Sequence, residues 1–134
     1  MLSVVRARAF IANLDTSNVG TDLSVYIIAV NAKLRKEELG KSESGFTITK
    51  PNGQHVITTN SSVLQYRQRF TICHEIAHIV LGLDSAHDVV PSWSYAKRDI
   101  NEIWCDVFAA ELLMPFNDAN SSRPWIRANL LIIR

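Results

Sequence analysis

A chain of 134 residues is long enough to bury one proper core and too short for two domains, so residues 1–134 are read as a single unit. With 47% hydrophobic and 20% charged residues the composition is that of an ordinary soluble globular protein. A net charge of +1 gives no basic face for direct nucleic-acid binding, and no apolar run reaches the roughly 20 residues that span a bilayer.

In chain order, Val4 to about Leu14 has helical apolar spacing and is read as an ordinary first helix rather than a targeting segment. The polar run Asp15–Thr21 breaks it, and Asp22 then caps a second helix reaching about Ala32. Lys33–Lys41 is a charged patch, as expected of a solvated connector or a short edge strand. Gly45–Thr49 and His55–Thr59 are β-branched runs on either side of Pro51-Asn52-Gly53, so 45–59 is predicted to be a hairpin turning at Asn52-Gly53. Asn60, Ser61 and Ser62 are candidate caps for a helix over about Val63–Leu81 that Gly82 ends. Leu83–Lys97 reads as a long loop, a length more often functional than idle. A further helix over about Arg98–Met114 stops at Pro115, and the tail 116–134 ends in an apolar strand or helix, Trp125–Ile133. The fold class that follows is α+β: a small antiparallel sheet packed with helices.

The segment "FTICHEIAHIVLG" (70–82) carries the chemistry. His74 and His78 are four apart, one turn along the same helix face, where both imidazoles can ligate one Zn²⁺. Glu75 lies beside that face, placed to serve a water as general base instead of binding the metal. A catalytic zinc takes three protein ligands and keeps one position open, and three residues compete for the third place. Asp84 lies six residues past His78, but Leu81 stands where the matching protease class needs a glycine to turn the chain. His87 lies in the following loop. Glu102 sits on the last helix, with Asp106 one turn on and able to orient a ligand histidine through its other ring nitrogen. Glu102 is preferred, because acids at 102 and 106 on an otherwise apolar helix call for a reason. His87 and Tyr95 are candidate donors to a developing oxyanion, and Glu111 is read as a surface residue or one that supports the ligands. Cys73 and Cys105 are read as reduced, buried core thiols, which fits a cytoplasmic location.

Two separated stretches, "RQRFTICHEIAHIVLG" and "EIWCDVFAAELLMP", resemble in order the ImmA/IrrE family of zinc metallopeptidases, with its RxxFTxxHExxH helix and a second helix ending FAAELLMP. The "GFTI" and "HVITTN" strands match the layout upstream, so the resemblance covers about residues 22–115. It implies metal binding by His74, His78 and Glu102 and a general-base role for Glu75. It also implies site-specific cleavage of a helix-turn-helix transcriptional repressor by Glu-assisted attack of zinc-bound water. A substrate strand is expected to add to the edge of the 45–59 hairpin. Where many members read E-x-E-A-[ND], this chain has Glu102-Ile103-Trp104-Cys105-Asp106. Trp104, and the short stretch after Pro115, favour the alternative: a non-catalytic protein-binding module of anti-repressor or toxin–antitoxin type that keeps the zincin fold.

Overall fold

The Asn52-Gly53 turn organises the sheet. Gly53 has φ +88°, a conformation that a side chain would strain, and Lys50 and Gln54 close the turn with a 2.8 Å backbone bond. In the computed structural model, described for residues 2–83 and 100–115, the elements follow as α1 (Leu2–Ile11), α2 (Ser24–Ala29), β1 (Ala32–Glu37), β2 (Gly45–Thr49), β3 (His55–Asn60), α3 (Gln65–Leu81) and α4 (Ile100–Leu113). This is an α+β domain with a three-stranded sheet in the order β1-β3-β2.

The hairpin β2/β3 is antiparallel, from Gly45 opposite Thr59 to Thr49 opposite His55. The charged 33–41 stretch supplies the third strand: β1 pairs parallel to β3, Ala32 with His55 through Glu37 with Asn60, which makes the sheet mixed. An edge position explains the charge, since Lys33, Arg35 and Lys36 point to solvent while Ala32, Leu34 and Glu37 are half-buried. The chain must then cross from β1 over the end of β3 to reach β2. Asn60 fastens that crossing. Its side chain is 1% exposed, donates to the carbonyls of Leu39, Gly40 and Glu43, and accepts from the N–H groups of Leu39 and Ser62. The expected capping role of Asn60, Ser61 and Ser62 is therefore replaced: α3 begins at Gln65 with no side-chain cap.

The helix ends have local causes. The second helix is shorter than its apolar spacing predicts because Asn31 takes a left-handed φ of 55° and turns the chain into β1, where its carbonyl accepts from His55 N–H at 3.0 Å. Asp22 does act at its start, accepting the Ser24 N–H at 2.8 Å. Gly82 ends α3 in the left-handed conformation as predicted, and Leu83 N–H closes on the His78 carbonyl at 2.9 Å.

One core joins the helices to the inner side of the sheet through Ala7, Ile11, Tyr26, Ile57, Ile72, Ile76, Phe108 and Leu112. The Tyr26 hydroxyl donates to the Leu112 carbonyl at 2.7 Å, satisfying one of the carbonyls left over at the end of α4. Helices α3 and α4 lie against each other along their length, so side chains on their facing sides meet. Residues 84–99 and 116–134 lie outside the described residues, and with them most of the expected loop Leu83–Lys97 and the expected strand or helix at 125–133.

Candidate metal centre

On α3 the core takes Ile72, Cys73, Ile76 and Ala77, and the period of the helix leaves His74 and His78 on the side turned to α4. Their Nε2 atoms are 3.2 Å apart. Glu102 reaches them from the first turn of α4, with one carboxylate oxygen 2.7 Å from His74 Nε2 and the other 3.2 Å from His78 Nε2. One ligand atom from each of the three residues can be chosen so that all lie within 4.8 Å of one another. Tetrahedral zinc with bonds of about 2.0–2.1 Å separates its donors by about 3.3 Å, so the spacing suits such an ion.

The other ring nitrogens support the same reading. His74 Nδ1 lies 2.8 Å from the Asp106 carboxylate, and His78 Nδ1 lies 3.3 Å from the Leu83 carbonyl. Both partners are acceptors, so each Nδ1 carries a proton, and the inward Nε2 of each ring is the atom left to offer a lone pair to a metal. Two Nε2 atoms 3.2 Å apart, both faced by the Glu102 carboxylate, require a proton or a metal ion among them. The donor set therefore fits a metal ion.

The electrostatics agree. Burial works against charge on His74, but hydrogen bonds to Asp106 and Glu102 and the nearby Glu75 outweigh it and raise the ring to about 9. Burial likewise opposes charge on His78, yet its contacts with the Cys105 thiol and Glu102 raise it to about 10. The two histidines in turn hold the Glu102 carboxyl well below the usual carboxylate range. A pocket that pulls protons onto its imidazoles this strongly is one that attracts positive charge. His78 is 3% exposed, His74 14% and Glu102 30%, so the cluster is closed on the His78 side and open at Glu102.

Glu75 is held from the sheet. It is 5% exposed, and its Oε1 accepts the Thr47 hydroxyl of β2 at 2.7 Å. It stands close enough to both imidazoles to raise them.

Of the residues singled out by sequence, His74, His78, Glu102 and Asp106 converge. Trp104 lies about 200° around α4 from Glu102 and is 39% exposed, so it is residue 102, and not 104, that meets the histidines. Asp84, His87 and Tyr95 lie outside the described residues. Cys73 and Cys105 are fully buried free thiols, and burial raises Cys73 to about 12 despite the nearby Arg69. Glu111 is neither surface nor part of the cluster: it is 3% exposed and pairs with Arg8 of α1 at 3.5 Å. Two neighbours of the cluster escaped the sequence reading, the Cys105 thiol against His78 and Thr47 against Glu75. The alternation of Gly45-Phe46-Thr47-Ile48-Thr49 was the available signal for Thr47, since it sets the small and polar side chains on one face.

Comparison with known proteins agrees with this geometry. The family described as the IrrE N-terminal-like domain matches residues 29–122. A radiation response metalloprotease, IrrE, of Deinococcus deserti is 44% identical over 66 residues, which cover 46% of this chain and 23% of that relative's length. The chain thus aligns with less than a quarter of the curated relative it matches. Among the described residues, no helix is long and apolar enough to cross a membrane.

Proposed function

The chain belongs to the ImmA/IrrE family of metallopeptidases, and we propose that it is a zinc-dependent endopeptidase whose metal is held by His74, His78 and Glu102. The observation that carries this reading is the pair of inward Nε2 atoms 3.2 Å apart, faced by the Glu102 carboxylate. Zinc held there would supply Lewis acidity to a water and to the scissile carbonyl. The protein does the rest. Asp106 and the Leu83 carbonyl fix the two rings with Nε2 turned to Glu102, where the three would hold the ion, and Glu75 would take the proton of the attacking water on its carboxylate and pass it to the leaving amine. Among the described residues strand β2 is an edge of the sheet, the one next to Glu75, and a groove of about 600 Å³ lined by Leu39, Phe46 and Ile48 lies beside it, which suits an extended peptide segment. The substrate class, a helix-turn-helix repressor in the cytoplasm, is carried over from the family.

Elemental analysis and a single substitution test this. Protein purified without chelator should hold close to one zinc per chain, and Glu75→Gln should keep the zinc and the melting temperature while abolishing cleavage of a repressor encoded beside it. Folded protein that contains no zinc and gains no thermal stability from it refutes the metal site. A Glu75→Gln variant that still relieves repression makes the non-catalytic binding module the better reading.

A further inference from the structure

Glu75 is a buried carboxylate whose aim matters, because a general base works only within hydrogen-bond reach of the proton it takes. The aim is set from outside α3. Strand β2 lies against α3 with Gly45 over Thr71, so close that a Cβ on Gly45 would come within 2.7 Å of the Thr71 methyl and also meet the Thr58 carbonyl. Two residues along a strand advance about 6.6 Å and one turn of helix about 6 Å, so the step from Gly45 to Thr47 matches the step from Thr71 to Glu75. The close approach that only glycine allows at position 45 thus delivers the Thr47 hydroxyl to Glu75 Oε1 at 2.7 Å.

We propose that Thr47 is the positioning residue for Glu75: its hydroxyl fixes one carboxylate oxygen and so directs the carboxyl group toward the metal centre. This rests on the zinc peptidase reading above. Thr47 acts through Glu75.

The test measures binding of acetohydroxamate to the zinc-loaded full chain by calorimetry. This probe chelates zinc and hydrogen-bonds a carboxylate beside it, so it reports the aim of Glu75 without any substrate. Thr47→Val, which keeps the shape and loses the hydroxyl, should weaken binding about fivefold, the net worth of one hydrogen bond, with zinc stoichiometry unchanged. Thr47→Ala, a second hydroxyl-free variant, should do the same, and Thr47→Ser should restore the parent affinity. In a Glu75→Ala background Thr47→Val should have no further effect. Parent-like affinity in both hydroxyl-free variants, or an equal loss with and without Glu75, overturns the positioning role and leaves the peptidase reading standing. A parent chain that takes up no zinc overturns that reading and this inference together.

Discussion

Helix α4 carries a glutamate near each end, and the two have opposite fates. Glu102, in the first turn, is 30% exposed and faces two imidazoles, which draw its carboxyl well below the ordinary range. Glu111, two and a half turns on, is 3% exposed; burial pushes its carboxyl up, against the pull of Arg8. The same residue type on the same helix is thus held charged at one end and driven toward neutrality at the other. At the Glu102 end the helix opens a pocket with an excess of acids, Glu102, Asp106 and Glu75, whose need is a cation. At the Glu111 end it meets α1, and the cation is already built in as Arg8. Proximity to a positive partner is common to both. What separates them is whether that partner belongs to the fold or must come from solution.

Substitutions at the two ends should therefore separate metal binding from stability. Glu102→Ala removes one of three ligands and should lower zinc affinity by more than about 100-fold, beyond the cost of losing a group that only supports a ligand. Asp84→Ala and His87→Ala should change it far less. Competition with a chromogenic zinc chelator measures each, and a larger loss in either of those two variants would remove Glu102 from the site. Asp106→Ala should fall between, at about 10–100-fold, because the His74 ring keeps its place but loses the acceptor that fixes its protonated nitrogen. Parent-like affinity in that variant would mean that Asp106 does not orient the ring.

Much of the centre was legible because its signals are local. An i, i+4 histidine pair and an i, i+4 pair of acids each announce a helix face, and two such faces on neighbouring helices can meet only along their shared side. The hairpin was legible for the same reason, since Asn52-Gly53 dictates the turn. The third strand was legible only as one of two readings of 33–41, and its pairing was not. Parallel pairing of β1 with β3 depends on a crossover that Asn60 pins from the end of β3, and nothing in Ala32–Glu37 itself encodes a partner. Asn60 looked like a helix cap because asparagine is a favoured N-cap residue; apart from the Ser62 N–H, its side chain's partners are 17 to 21 residues back, in the crossing. Glu111 was misjudged similarly. It was read as a surface residue or one that supports the ligands, while it is buried and its partner sits on the first helix, at a sequence distance where no pattern reaches. Thr47 lay between these cases, with its face readable and its target not.

The smallest expected effect lies at the far end of α4 and is one of stability alone. Arg8→Met removes the guanidinium while keeping much of the side chain's packing, and leaves Glu111 buried without that cation. Breaking a fully buried pair costs about 3–5 kcal/mol, but the Arg8 side chain is 34% exposed and partly screened, so about 1–2 kcal/mol is expected. The sign of the pH dependence follows from the direction of the shift. Burial raises the Glu111 carboxyl in the folded state, so the native protein holds the proton to higher pH than the unfolded chain does. Stability is then fully present below the ordinary glutamate range and is lost as pH rises through the raised folded value. In the parent Arg8 restrains that rise; in Arg8→Met burial acts unopposed by that charge, and the loss on going from pH 5 to pH 7 should be larger than in the parent. Glu111→Gln, made together with Arg8→Met, should abolish the difference. Urea denaturation of the three proteins at the two pH values measures this, with zinc content as the control that should not move. A pH dependence that persists in the double variant would trace it to groups other than Glu111.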